Sequence, residues 1–446
     1  RGFLTHGDAD TWMDARIRGN EPWSPRGNRA NDIQALWFTA LKLGAYFMEK
    51  CGDEQKAAHY NSLAETVRQS FRTYFWSADN DALADHLLEG EYGEWAKDMR
   101  VRPNQLFAIT VPQILPGAYN EGKSNFIEET AAASVMKNVE RELVSPFGLF
   151  SLSTEDPLFH PDHENPEFYN KDAAYHNGTI WEWNSGAYIS ASALYSKGTL
   201  PQKAGAILQN ESKMIMDFGC AGSLSENIHA RPDSDGNPVL SGTFSQAWSV
   251  AEFARNICQD VIGFVPRLAE NKISLRPCLP SGCKEFGAVL PFGRGWSLEI
   301  NVIRKNRQYD CTALWHLNGN TDALPELLIN DVPLRPEETA HIFVRAEKVS
   351  SVEKFGCPAK WVKAPFATRT FVKEWTGSVH MKDYLEKLIL SGRMKSKTCA
   401  GENTAALEWY FDCDEFKKNY LTDVELGSLY SRNSTVFRLW APTAQS

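Results

Sequence analysis

The chain has 446 residues, 23% of them charged and 43% hydrophobic, with a mean hydropathy of −0.39; this is the balance of a soluble globular protein and excludes a disordered one. Its length accommodates roughly two to four domains. A net charge of −9 argues against a nucleic-acid partner, whose phosphates favour a basic face, and permits a neutral substrate.

Residues 1–30 read as loop, rich in Gly, Asp, Pro and Arg without a period. Helical periodicity then takes over. Asn31 or Asp32 is placed to cap a helix through Leu36, Trp37, Ala40, Leu41, Leu43 and Phe47, which Gly52 ends. A second helix runs from about Glu54 to Phe75, and further helices are expected over 103–114, 125–143, 178–195, 201–216 and 243–259. The longest connections are 145–177 and 217–242. Up to 271 the pattern is therefore all-α, with elaborate loops that suit binding residues. From 272 to 345, short alternating runs such as "GAVLPFGRGWSLEINVIRK" predict a small antiparallel β-sandwich. Residues 346–420 are mixed and charged, with short helices expected at 381–390 and 405–420. Residues 421–446 read as two strands opening another β-domain.

The aromatic content is high, with 14 Trp, 24 Phe and 14 Tyr. Trp serves as core filler and also as a flat platform for the apolar C–H faces of sugar rings, and 14 are enough for both. The nine Cys are scattered and show neither zinc-site spacing nor a secreted disulfide framework. Cys278 and Cys283 flank Pro280 and Gly282 in a turn, so no metal is assigned to them. Scattered thiols indicate a reducing, cytoplasmic setting. No stretch is apolar for long enough to span a bilayer. No signal peptide is visible, and the chain starts at Arg1 rather than Met.

Hydrolysis of a glycosidic bond needs two carboxyl groups, one to protonate the leaving oxygen and one to activate water or attack the sugar. Four loop-borne blocks carry acids or polar groups among aromatics. In "DADTWMDARIRGNEPWSPRGNRANDIQALWF", Asp14 follows Trp12, an indole able to raise a neighbouring carboxyl's pKa by desolvation; the alternative is a turn cap. "VRPNQLFA" sets Arg102, Asn104 and Gln105 at a helix start, to hold sugar hydroxyls or to cap. "YHNGTIWEWNSGAYI" crowds Tyr175, His176, Trp181, Glu182 and Trp183 together. His176 has no second metal ligand at suitable spacing, and Glu182 is a rival acid. In a helix starting near Gly178, residues 181 and 182 face about 100° apart. In "GCAGSLSENIHARPDSDGNPVLSGTFSQAWSVAEFAR", Glu226 lies in a polar loop that leads to Gln246 and Trp248, as an ionised base or as exposed surface.

Five segments in series, "TWMDARI", "PRGNRANDIQALWF", "RPNQLFA", "YHNGTIW" and "SENIHA…QAWS", resemble the amylo-α-1,6-glucosidase domain of glycogen-debranching enzymes over roughly residues 1–260. The resemblance implies a mainly α fold, an (α/α)6 toroid of six helical hairpins, of which residues 1–271 form a part. It also implies inverting release of glucose from α-1,6-linked branch stubs of glycogen or limit dextrin. Carried over, Asp14 is the general acid and Glu226 the general base. Trp12, Arg26, Asn104, Gln105, Tyr175, His176, Trp181 and Trp248 shape the glucose pocket. No metal or organic cofactor is implied. Relatives often read "TIWPW" where this chain has Trp181, Glu182 and Trp183, so Glu182 either alters a subsite or is a surface substitution; they often carry Glu where Asp32 stands. The toroid needs more helices than the seven expected here, and the rest are expected upstream of Arg1. "LGSLYSRNSTVFRLWAPTAQS" resembles the opening of the β-sandwich module of pullulanases. A glucoamylase-like hydrolase acting on α-1,4 ends, and a non-catalytic glucan-binding fragment, are the competing readings.

Overall fold

A computed structural model describes residues 1–356, except 18–19, 91–93, 116–125, 164, 166, 197, 221, 268–270, 293–295, 306–307, 317–325, 330–331, 335–337 and 346–347, together with 427–430 and 435–438. The helices expected at 381–390 and 405–420 lie outside the described residues. The described architecture is mixed: eight α-helices among the described residues, with small, mostly antiparallel sheets.

Helices α1 (Asn31–Lys50) and α2 (Glu54–Tyr74) form an antiparallel hairpin. Each buries one stripe, Ala35, Phe38, Leu41 and Ala45 on α1 and Ala57, Ala64, Val67 and Phe71 on α2, as helical amphipathicity requires. The turn satisfies the last carbonyls of α1: the amide of Gly52 donates to Glu49 and that of Asp53 to Met48. Asp53 then caps α2 by accepting from the Lys56 amide at 3.0 Å. Neither Asn31 nor Asp32 caps α1. Ala30 holds the cap position, because the Asn31 side chain is spent on the Ala84 carbonyl through Nδ2 and Asp32 on Arg26.

The 103–114 helix is two 3₁₀ turns around a single α-turn, α3 (Phe107–Thr110); Pro103 and Pro112 each lack the amide a continuous α-helix would use. There follow α4 (Glu129–Glu142), α5 (Lys171–Tyr175), α6 (Glu182–Tyr195), α7 (Gln202–Asp217) and α8 (Ala247–Arg255), the last running into a π turn, Asn256–Val261. Helix α6 is the central one, with nine of its residues buried between α7, α8 and the 103–110 run.

The first 271 residues are not all helical. Arg29–Ala30, His86–Glu89 and Trp95–Asp98 form a three-stranded sheet. Two-residue hairpins pair 16–17 with 21–22, 76–77 with 82–83, 144–145 with 148–149, and 227–228 with 240–241. Strands this short carry no alternation for a sequence reading to find.

Beyond the helices, Glu285–Phe292, Trp296–Lys305, Gln308–His316, Glu338–Arg345 and Lys348–Gly356 make a five-stranded antiparallel sheet. A second, four-stranded sheet is not wholly antiparallel: Lys272–Leu275 runs parallel to Glu326–Ile329. Leu290, Phe292, Leu298, Ile300 and Val302 are buried in the same core as the helices. Gly427–Tyr430 pairs antiparallel with Thr435–Arg438. Among the described residues no helix is long and apolar enough to cross a membrane.

Candidate active site

The singled-out residues collect before or at the starts of α1, the 103–110 run, α6 and α8. At the first of these Arg26 is buried to 1% exposure, its guanidinium set between Asp32 at 2.9 Å and Asp85 at 2.6 Å. Burial alone would push Asp85 up, but Arg26 and His86 outweigh it and hold its carboxyl well below the usual carboxylate range. Asp85 also accepts from Asn104 Nδ2 at 2.8 Å, and Asn104 Oδ1 accepts from the Trp12 indole at 2.7 Å. Met13 is buried with its sulfur against both Arg26 and Asn104. With Trp12 and Met13 both fixed, the next residue, Asp14, is presented to solvent. The expected desolvation of Asp14 by its neighbouring indole is therefore replaced by exposure, the Trp12 ring being engaged with His176, Trp181 and Trp183 at 5.2–5.5 Å.

That cluster is one aromatic wall. Tyr175 stacks on His163 at 4.9 Å and meets Trp181 edge-on at 4.8 Å. Trp183 stacks on Trp248 at 4.9 Å and on Phe107 at 5.5 Å. Trp12, Tyr175, Trp183 and Trp248 remain partly exposed, whereas Trp181 and His176 are buried. Burial and the nearby Arg102 lower the His176 pKa well below its ordinary value, so the ring is neutral. Arg102 is spent on the carbonyls of Ser151 and His176 and on Asn177, and the Gln105 amide donates to the Arg102 carbonyl at 2.9 Å. Arg26, Asn104 and Gln105 thus stand behind the wall, with the polar groups of Arg26 and Asn104 turned to protein partners, and His176 and Trp181 form its buried part.

Glu226 faces this wall from the 223–228 loop. Its Oε1 accepts a short hydrogen bond from the Tyr175 hydroxyl. Its Oε2 accepts from the Thr243 amide at 2.8 Å, and its own amide donates to the Thr243 carbonyl at 2.8 Å. Gly242 makes this possible: it sits at φ +72°, and a Cβ there would lie 2.5 Å from Glu226 Oε2. Glu226 is half-buried, so it is not simply loop surface. Burial raises the Tyr175 phenol pKa, and the hydrogen bond and charge of Glu226 and the charge of Asp14 raise it further. Both carboxyls therefore act on one phenol.

Glu182 is not a surface substitution. It is 2% exposed, and α6 begins at Glu182, with Trp181 as its cap residue, rather than near Gly178. A Cβ on Gly178 would lie 1.9 Å from the His160 carbonyl, and its φ of +153° keeps the segment out of the helix. Four participants escaped the sequence reading as pocket residues. Trp183 was legible as a second indole beside Trp181, whereas Asp85 and the Gly242–Thr243 pair carry no local motif. A separate cavity of about 720 Å³, between α4, the end of α6 and the start of α7, shares none of these residues.

Residues 1–255 match the family model described as amylo-α-1,6-glucosidase. No curated protein matches the chain. Among solved structures the chain is similar to a sialidase, at 16% identity over 67% of this chain and 25% of that one with a TM-score of 0.46. It is also similar to a GH78-family rhamnosidase of Bacillus sp. GL1, at 13% identity over 69% of this chain and 26% of that one with a TM-score of 0.43. The chain thus spans about a quarter of the length of these structures.

Proposed function

The chain belongs to the amylo-α-1,6-glucosidase family of glycoside hydrolases, and on that premise we propose that it contributes part of an (α/α)6 toroid that hydrolyses α-1,6-linked glucose at the branch points of glycogen or a similar α-glucan. Asp14 is the general acid and Glu226 the general base. The observation that supports the assignment is Tyr175, whose phenol donates to Glu226 and whose ring meets Trp181, the same indole that meets Trp12 two residues before Asp14. Glucose rests against the exposed parts of Trp12, Trp183 and Trp248, whose apolar ring surfaces suit the C–H face of a sugar.

In the reaction, protonated Asp14 gives its proton to the glycosidic oxygen as the bond to C1 breaks. The Glu226 carboxylate takes a proton from a water that attacks C1 from the opposite face, which inverts the anomeric centre and yields β-glucose. Such a pair works across about 6.5–9.5 Å, with room for that water. Each turnover leaves Asp14 ionised and Glu226 protonated, and exchange with solvent resets both. Cys51, Cys258 and Cys283 are free thiols, in keeping with a cytoplasmic setting.

The test is glucose release from a limit dextrin trimmed to single-residue branch stubs, beside linear maltooligosaccharides. Expected are release from the branched substrate alone, β-glucose as the first-formed anomer, and loss of release in Asp14→Asn and Glu226→Gln. Cleavage of linear chains would favour the glucoamylase-like reading. Binding without release would leave a glucan-binding protein.

A further inference from the structure

Glu182 has a use that the two-carboxylate chemistry does not require. It opens α6, where an acid is ordinarily favoured at the exposed amide end of a helix, yet it is buried. Its Oε2 has no hydrogen-bond partner among the described residues. The acid that acts on it is Glu226 from the loop, and Glu182 acts in turn on Glu211 of α7, which also feels the charge of Glu252 of α8. The 103–110 run and Gly148–Leu149, also packed on α6, carry no titratable side chain. In the π turn Asp260 is held by Arg255, Asn256 and Ser190, beside Cys258. A carboxylate buried among acids is costly. Burial first, and then the charge of Glu226, push the Glu182 carboxyl up to about 8.

The hydrogen-bond inventory points the same way. Ser225 Oγ lies 3.4 Å from Glu182 Oε1 and 3.0 Å from the Asn227 carbonyl. A serine hydroxyl has one proton and cannot donate to both. With the proton on Glu182 the conflict disappears: Glu182 donates to Ser225, and Ser225 donates to Asn227. These two residues flank Glu226.

The geometry points to Glu182 as a positioning residue for Glu226: a neutral, hydrogen-bonding acid that seats the Ser225–Asn227 segment without setting a second negative charge beside the base. The inference rests on the assignment of Glu226 as the base. It predicts that a neutral side chain able to donate is an adequate replacement, and that a merely apolar one is not.

The experiment measures kcat and KM for glucose release across pH, with thermal melts, on the full chain carrying Glu182→Gln or Glu182→Leu. Glu182→Gln should keep kcat within about threefold and leave the acid limb of kcat/KM, which reports the free enzyme's base, within about 0.3 pH units of wild type. Glu182→Leu should lower kcat about tenfold or more at unchanged KM, as expected when a group acts only on the reacting geometry. A downward move of the acid limb by a full unit in Glu182→Gln would show that a carboxylate had been removed, and would overturn the proposal. So would wild-type kcat in Glu182→Leu. If Glu182→Leu fails to fold, the acid limb of Glu182→Gln still decides. Loss of the wild-type reaction itself would remove the assignment of Glu226, whereas an active wild type indifferent to residue 182 would remove only the positioning role.

Discussion

Gly242→Ala is the smallest perturbation that should reach the chemistry. The position has φ +72°, and the added methyl would lie 2.5 Å from Glu226 Oε2, 2.7 Å from Glu226 Cβ and 3.1 Å from Asn227 Nδ2. An L-residue in this left-handed region costs about 1–2 kcal/mol. The contact with Cβ matters more than the contact with Oε2, because rotating the carboxylate relieves only the latter. Relief therefore requires the loop or residue 243 to retreat, and it loosens the 2.8 Å bond from the Thr243 amide. A displacement of about 1 Å at a catalytic group costs on the order of 100-fold in rate. Glucose release from the branched dextrin should fall by that order in kcat with KM little changed, while the melting temperature drops by a few degrees. A variant that melts earlier but turns over at the wild-type rate would show that Glu226 is not the base; one that does neither would refute the close approach itself.

Other outcomes follow from the same geometry. Arg26→Met leaves Asp32 and Asp85 buried without their cation and should cost about 3–5 kcal/mol in urea unfolding. Because the Asp85 pKa is depressed, the wild-type contribution is present above the ordinary carboxylate range and is lost as pH falls through the depressed value, so the gap between the two proteins should narrow in acid. Glu182 shows the opposite sign. Raised from 4.5 to about 8, it contributes fully below the lower value and loses that contribution as pH rises through the upper one. Between pH 5 and 8 the stability of Glu182→Gln relative to wild type should therefore rise by up to about 4 kcal/mol; parallel unfolding curves at the two pH values would contradict a buried neutral acid. Trp183→Ala should raise KM about tenfold through loss of a ring surface, and Trp183→Phe much less; unchanged KM in both would take Trp183 off the sugar face.

How much of this was legible follows from what each segment had to satisfy. Helices α1 and α2 bury one stripe each and meet at a turn with its own caps, so period and punctuation marked them within a residue or so. Helix α6 begins four residues late because Gly178 is set by a close approach to His160, a contact remote in sequence. The paired strands around 29, 86 and 95 are too short to alternate. Among the pocket residues, type and order brought Trp12, Tyr175, Trp248 and Glu226 to one place. Arg26 and Asn104 read as sugar-binding groups because nothing in the sequence announces Asp85, the partner that claims them. Burial of Glu182 depends on α7 and α8 closing over it, which no local pattern records.

From the Trp12 indole to the first turn of α1, five side chains form one unbroken relay: Trp12, Asn104, Asp85, Arg26 and Asp32. Every link has a fixed polarity, so the best residue at each post depends on the occupants of its neighbours. A single replacement along this line therefore breaks a link unless a neighbour changes with it. Exchanging the second and third posts, Asn104→Asp together with Asp85→Asn, keeps a donor facing an acceptor throughout, whereas either replacement alone sets like against like. A double-mutant cycle should show strong coupling between the pair. The support behind the aromatic wall is thus one coupled unit, in which the side chain that suits each post is set by its neighbours.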